Sequence, residues 1–345
     1  MNNVVAVPFG VRFRRFMNSK AGGITMLVTA IVLLVLLSVF TGVSAQRATT
    51  LIVRGILLGG ILALGAVGVS LIYGVLDIPN FAHGDMMTVS AFLGMVIIQF
   101  LPHGKPIGPF SFGYELLVAL VLVIIFGGIL GYLLDIVAFR RLRRLRRPAI
   151  MFAMTSLGAA FGIRSFVYLI WGSDAIFVYP GRARPAIELF WGIRVRPDQL
   201  FILGVALLLI WLMYLLLEKT KMGKAMRATA DNEDLARVTG IDTSRVVLFT
   251  WLIGGGLAAA AGLLYGVDSQ LRAEMGWTLL LPLFASVILG TIGNAYGALV
   301  GGFIIGIVWQ LSSAFISPTY GPGAAFVVMI LVLLIRPEGL FGKRG

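Results

Sequence analysis

Residues 51–76 have the sequence LIVRGILLGGILALGAVGVSLIYGVL, and residues 77–85 continue directly with DIPNFAHGD. The first stretch contains a single charged side chain, Arg54. As a helix it is long enough to cross a hydrocarbon core of about 30 Å, which takes about 20 residues. The second stretch is polar and contains a proline, which does not continue a regular helix. The two together predict a membrane-spanning helix that ends in a polar segment.

The composition extends this prediction to the whole chain. Of its 345 residues, 59% are hydrophobic and 12% are charged, and the mean hydropathy is +0.98. A soluble domain carries about 25% charged residues, so these charges are too few to cover a water-facing surface. The absence of cysteine excludes disulfides, thiolate zinc sites and cysteine nucleophiles. The sequence also lacks the Gly-x-x-x-x-Gly-Lys-[Ser/Thr] loop of nucleotide-binding proteins.

Apolar segments repeat along the chain and predict an all-α, polytopic bundle of eight to ten transmembrane helices. Residues 1–23 form an N-terminal segment, residues 24–336 a transmembrane domain and residues 337–345 a tail. Pro282 predicts that one segment, 278–293, is broken or re-entrant. Glycines spaced four residues apart, such as Gly158 and Gly162, predict closely packed helix faces. The ten segments are 24–45, 51–76, 84–101, 115–138, 150–171, 200–217, 246–267, 278–293, 297–316 and 323–336.

Lysine and arginine predict the orientation, because they concentrate on the cytoplasmic side. With both termini in the cytoplasm, 19 of them lie inside and 8 outside. This places a multi-pass protein in the inner (plasma) membrane. Topology then explains the net charge of +13 without a nucleic-acid partner, and the arginines of loop 140–147 become an anchor beside the lipid bilayer. The apolar run 24–43 exceeds the 7–15 residues of a signal peptide's core, so we expect the first helix to be retained.

An internal repeat is indicated by residues 71–75 (LIYGV) and 263–267 (LLYGV). In each copy a glycine follows nine positions after the valine, at Gly84 and Gly276. The charge distribution gives the two copies opposite orientations, as in inverted-repeat transporters. Chance similarity stays open as the alternative, since few positions agree.

The polar stretch over residues 73–85 interrupts an apolar region. Such backbone is tolerated at membrane depth only where protein buries it or where it lines a cavity, and ionisable groups there are functional candidates. The stretch is either a cytoplasmic turn with Asn80 or Asp85 as a helix cap, or a broken helix beside a translocation pathway. The candidate pathway residues are Tyr73, Asn80, Phe81, His83, Gly84, Asp85 and the mid-segment Arg164.

A second informative stretch is the loop 218–245, predicted to be cytoplasmic. Residues 224–239 are rich in alanine and favour an amphipathic helix. Gly240 suits the position just beyond a helix end, and Asp242 or Thr243 can cap the next helix. The predicted helix either lies in a groove on a partner or is a solvated loop helix.

Three regions together resemble a known family. They are NFAHGD at 80–85, the groups MRA, DLA and GID within 226–242, and LGTIG with GALVGG over 289–302 followed by RPEGLFG at 336–342. This combination resembles the branched-chain amino-acid ABC permease family, and its shorter, high-affinity leucine/isoleucine/valine-type subunit in particular. The similarity spans residues 51–342, with Asp85 in place of the family's glutamate. The segment 24–45 extends beyond the usual start of that subunit.

The resemblance implies the permease subunit of a binding-protein-dependent ABC importer for branched-chain or related amino acids. ATP is then hydrolysed by partner subunits, and this chain needs no catalytic residue, metal or cofactor. The implied partners are cytoplasmic ABC ATPase subunits, a second permease subunit and a periplasmic or extracellular substrate-binding protein, for which the loop 172–199 is the candidate docking region. The implied ATPase-coupling residues are Gly223, Arg227, Asp231, Leu235, Ala236, Gly240 and Ile241.

Two other functions stay open at this point. One is the same type of importer for urea or an amide. The other is an ion-coupled secondary transporter that uses Asp77, Asp85 or Asp135. A membrane enzyme is disfavoured, because the chain has two histidines and no cysteine, and its acidic residues form no catalytic motif.

Overall fold

The computed structural model describes residues 44–102, 104–179, 185–188 and 192–342. Nearly all of the predicted first helix, 24–45, lies outside these ranges. The described elements are α1 Ala45–Leu76, α2 His83–Phe100, α3 Tyr114–Leu134, a π-helical turn Asp135–Phe139, α4 Arg140–Arg144, α5 Ala149–Trp171, a hairpin of β1 Ile187–Glu188 and β2 Arg194–Val195, α6 Pro197–Lys219, α7 Lys221–Asp231, α8 Glu233–Val238, α9 Thr243–Asp268, α10 Met275–Gly290, α11 Ala295–Ser312, a 3-10 turn Pro318–Tyr320 and α12 Gly321–Ile335.

The described part of the chain is the predicted helix bundle. Within it, eight helical stretches are long and apolar enough to cross a membrane. They contain α1, α2, α3, α5, α6, α9, α11 and α12. This number agrees with the lower end of the predicted range of eight to ten.

Helix α10 is short but is not broken at Pro282. It has 16 residues, or about 24 Å at 1.5 Å per residue, against a hydrocarbon core of about 30 Å. Pro282 lies inside the continuous helix Met275–Gly290, so the predicted break at this proline is wrong. The helix ends instead at Thr291, whose φ is 87°.

The packing of the helices supports the predicted repeat. Helix α1 packs against α11, and α3 packs in the corresponding way against α9. Helix α2 contacts α5 as α10 contacts α12, and α1 and α9 contact each other between the two sets. Exchanging α1, α2, α3 and α5 for α9, α10, α11 and α12 therefore reproduces these pairs of contacts, although α11 also packs against α12 and α3 does not pack against α5 in the same way.

The two glycines singled out by the repeat lie against each other where α2 and α10 begin. A Cβ on Gly84 would overlap the carbonyl of Gly276, and a Cβ on Gly276 would overlap the carbonyl of Gly84. The Gly276 N–H donates a hydrogen bond to Thr88 Oγ1 at 2.9 Å. Only glycine lets two backbones approach this closely. Both helices thus begin beside each other inside the bundle.

One predicted glycine face differs from the others. Gly127 packs against the backbone of Gly255, as close packing requires. A Cβ on Gly158 or Gly162, in contrast, would meet no atom within 4 Å. The prediction that these two glycines form a packed face is therefore wrong within this chain, because α5 turns this side away from the other described helices.

The loop 218–245 contains two short helices, where the sequence predicted one over 224–239. Helix α7 ends at Asp231 because Asn232 is extended, with φ −163° and ψ 107°. The Asn232 side chain then accepts the Leu235 N–H at 2.8 Å and caps α8. Beyond α8, Gly240 has the predicted left-handed backbone, with φ 88°, and Asp242 caps α9 as predicted.

Candidate functional site

The break between α1 and α2 is partly buried, with Asp77 exposed and Ile78 and Asn80 buried. Helix α1 ends at Leu76, and Asp77 takes a left-handed conformation with φ 54°. Asn80 is 1% exposed, and its Oδ1 accepts the Ala82 N–H at 3.1 Å. The Phe81 N–H donates to Ser156 Oγ of α5 at 3.1 Å. A segment satisfied from inside the bundle fits the broken-helix interpretation better than an exposed turn.

A buried ion pair lies directly beyond the break. Arg164 Nε and Nη2 donate to the two oxygens of Asp85, each at 2.9 Å. The Asp85 side chain is fully buried and that of Arg164 is 13% exposed. A bidentate, charge-assisted pair of this kind fixes the position of both groups. Arg164 therefore faces the bundle, and its partner is another predicted pathway residue.

Aromatic rings enclose the arginine. The guanidinium carbon lies 4.6 Å from the centre of the Trp277 ring and 5.4 Å from that of Phe161. Both distances are within the range of cation–π attraction. Tyr168 donates a hydrogen bond to Glu274 Oε2 at 2.9 Å on the same side of the molecule. We call Phe161, Arg164, Tyr168, Glu274 and Trp277 the α5–α10 face.

The α5–α10 face is open at the surface of the single chain. Phe161 and Trp277 are exposed, and Glu274 is partly exposed. Charged groups in membrane segments normally face protein or a water-filled cavity. The α5–α10 face therefore meets either a second protein chain or an aqueous path, and lipid is the least favourable neighbour.

The other predicted pathway residues occupy different surroundings. His83 is fully buried, and a Cβ on Gly68 of α1 would lie 3.0 Å from its Cε1 atom. The backbone of Gly84 packs against the backbone of Gly276. Tyr73 lies beside Asp77 at the end of α1. The structure thus brings Asp85 and Arg164 together, whereas the Phe81 ring packs against Phe284 of α10 and His83 and Gly84 serve the packing of the helix break.

The loop 218–245 is tied to the bundle by a charged connection. Arg227 of α7 contacts Glu218 at the end of α6, with 2.8 Å between Nη1 and Oε2. The Tyr296 hydroxyl of α11 donates to the other Glu218 oxygen, also at 2.8 Å. Glu218 of α6 therefore contacts both α7 and α11.

The predicted coupling residues divide into buried and exposed sets. Gly223 and Ala236 are buried, and the Gly223 N–H donates to Thr220 Oγ1 at 3.0 Å. Ile241 is partly buried. Leu235 and its neighbour Val238 are 61% and 85% exposed. The remaining predicted residues, Arg227, Asp231 and Gly240, are exposed as well. Helix α8 thus presents two apolar side chains to its surroundings.

Sequence reasoning missed several residues that complete these sites. Glu274 and Trp277 flank Gly276, so the repeat could have drawn attention to them. Phe161 precedes Arg164 by one helical turn, and residues three apart share a helix face. Glu218 and Tyr296 are 78 positions apart, and no local signal joins them.

The described residues thus form a bundle of helices able to span a membrane, with a buried ion pair beside a helix break. The sequence matches the family described as branched-chain amino acid transport system permease component over residues 51–335. The chain belongs to this family.

Three relatives of the chain are likewise described as permease proteins. The high-affinity branched-chain amino acid transport system permease protein LivH of Escherichia coli K12 is 30% identical over 295 residues, covering 84% of this chain and 94% of LivH. BraD of Pseudomonas aeruginosa, a permease of the same description, is 27% identical, covering 85% of this chain and 95% of BraD. LsrC of Salmonella paratyphi B, from an autoinducer 2 import system, is 30% identical, covering 56% of this chain and 54% of LsrC.

Proposed function

We propose that this chain is the membrane-spanning subunit of an importer that takes up branched-chain amino acids, driven by ATP hydrolysis on separate subunits. The observation that carries this proposal is the near full-length similarity to LivH and BraD. The secondary-transporter alternative, which could use Asp77, Asp85 or Asp135, is less well supported, because Asp85 and Asp135 are both held in bidentate pairs with arginines. A bidentate pair occupies both carboxylate oxygens, so a coupling ion would have to displace the arginine.

The loop 218–245 is the proposed contact with the ATPase. Helix α8 offers exposed Leu235 and Val238, which suit insertion into a groove on a partner. The contacts of Glu218 with Arg227 and Tyr296 pass a movement of this loop to α6 and α11. ATP binding can drive transport in this way only if the ATPase holds the loop differently in its ATP-bound and free states.

The α5–α10 face is the proposed contact with a second permease chain and one wall of the translocation pathway. Gly158 and Gly162 leave α5 open to close approach by another helix. The α5–α10 face adds charges that need protein or water beside them. The loop 172–199, whose described part includes the β1–β2 hairpin, is proposed to dock the substrate-binding protein. In the proposed topology the chain lies in the inner membrane and both termini are in the cytoplasm.

Purification in mild detergent with co-purifying proteins tests the assembly. We expect two ATPase subunits and a second permease subunit to be identified by mass spectrometry. Leu235→Glu should remove the ATPase subunits and leave the second permease in place, because it changes only the exposed side of α8. The control is Thr319→Glu, an exposed change of the same charge in the 3-10 turn Pro318–Tyr320, outside the loop 218–245. Recovery of the wild-type chain alone would contradict the proposal.

A further inference from the structure

We propose that Arg164 and Glu274 recognise the two charged groups of a zwitterionic amino acid as it passes through the membrane. Arg164 would bind the carboxylate and Glu274 the ammonium group. This inference rests on the proposed function and narrows it to substrates that carry both charges. It separates amino acids from urea, amides and uncharged solutes.

The guanidinium has donors left for a second carboxylate. Nε and Nη2 hold Asp85, and Nη1 donates no hydrogen bond to a residue in the described ranges. Arginine binds carboxylates through paired N–H groups in a fixed plane. Asp85 therefore fixes the guanidinium in position, while the Nη1 side stays available at the partly open face.

The charges of the site balance before any ligand binds. Arg164 is matched by the buried Asp85, and Glu274 lies 3.9 Å from Arg272. A ligand with a single charge would leave that charge uncompensated in a low-dielectric region, which is costly. A zwitterion adds one charge of each sign, so it satisfies both side chains and keeps the site neutral.

The neighbouring surface suits an apolar side chain. Phe161 and Trp277 flank the arginine, and Leu281 follows Trp277 one turn along α10 and is 53% exposed. Aromatic and aliphatic surfaces of this kind favour contact with a branched hydrocarbon group. Charged and apolar contact surfaces therefore lie side by side, as the charged and apolar groups do in a branched-chain amino acid.

Equilibrium binding to the importer purified with its ATPase and second permease, but without the binding protein, tests the site directly. The probes are radiolabelled L-leucine, 4-methylpentanoate, which lacks the ammonium group, and 3-methylbutylamine, which lacks the carboxylate. For the wild type we expect leucine to bind, and each analogue to compete on the order of 10-fold more weakly or worse, since each loses a charge-assisted contact.

Two variants assign the contacts. Glu274→Gln keeps an acceptor for Tyr168 and should weaken leucine on the order of 10-fold while leaving 4-methylpentanoate unchanged. The paired change Asp85→Asn with Arg164→Gln avoids leaving a buried charge alone, and should weaken leucine while leaving 3-methylbutylamine unchanged. The control is Asp135→Asn with Arg143→Gln, another buried bidentate pair, which should bind all three probes like the wild type.

Selective loss is the result that a purely structural role would not produce. Leucine binding at wild-type affinity in both variants, equal loss of all three probes, or no leucine binding by the wild type would each overturn the inference. Uptake by the complete importer with its binding protein distinguishes failure of the recognition site from failure of the proposed function. An importer that takes up leucine without the expected binding pattern refutes the recognition site alone, whereas one that takes up no branched-chain amino acid refutes the proposed function.

Discussion

Alanine in place of Gly84 tests the close contact between the beginnings of α2 and α10. The new Cβ would overlap the carbonyl oxygen of Gly276. The obstacle is backbone on both sides, so no side-chain rotation can relieve it. The beginnings of α2 and α10 would have to move apart, which would also stretch the hydrogen bond from the Gly276 N–H to Thr88.

The expected cost follows from two opposing effects. Overpacking a well-packed interior costs about 1–3 kcal/mol, and a contact between two backbones belongs at the upper end of that range. Replacing a helical glycine by alanine recovers about 1 kcal/mol. The net destabilisation is then about 2 kcal/mol. Gly204→Ala on α6 is the matched control, because its Cβ would meet no atom within 4 Å and only the gain of about 1 kcal/mol remains.

The two variants should therefore differ by about 3 kcal/mol. At an unfolding entropy of about 2.1 cal/mol/K per residue, a chain of 345 residues shifts by roughly 1.4 °C per kcal/mol, so the difference in melting temperature is about 4 °C. Size-exclusion chromatography of the detergent-solubilised protein after heating measures it without a cysteine-reactive dye, which this cysteine-free chain could not bind. If Gly84→Ala melted within a degree of Gly204→Ala, the close approach of α2 and α10 would be refuted.

Three further predictions follow from the coupling loop and the ion pair. The Cβ of Gly240→Ala meets no steric obstacle, but alanine must hold φ 88° at a cost of about 1–2 kcal/mol. Uptake per ATP hydrolysed should therefore fall several-fold while membrane insertion stays intact. A wild-type ratio would count against coupling through this loop. Arg227→Gln removes the ionic contact with Glu218 and leaves only the hydrogen bond from Tyr296; the ratio of uptake to ATP hydrolysis should fall in this variant as well. Asp85→Asn alone strands the buried arginine and should cost about 3–5 kcal/mol, whereas the paired change with Arg164→Gln should melt closer to the wild type; equal melting of the two would argue against the pair.

The sequence predicted those features that depend on local composition and spacing. Apolar runs located the spans, because the hydrocarbon core constrains helix length. The polar break after α1 was predictable because polar residues interrupt an apolar run there. The positive φ of Gly240 was predictable because glycine is the residue that ends helices in this way most easily.

Features that depend on tertiary contacts were not predictable from one sequence. Asp85 and Arg164 are 79 positions apart, and nothing local specifies their pairing. Gly158 and Gly162 have the same spacing as Gly127 and Gly131, yet only the latter pair packs within the chain. The break at Asn232 was missed because helix propensity favours one long helix, whereas a single capping hydrogen bond starts a second.

Uptake of radiolabelled leucine into vesicles tests the central claim most directly. The vesicles would contain this chain with its second permease and ATPase subunits, the binding protein on the substrate side and ATP on the ATPase side, with no ion gradient. The account predicts accumulation with ATP and none with a non-hydrolysable analogue. Accumulation by the chain alone, without ATP and driven by a proton gradient, would contradict it.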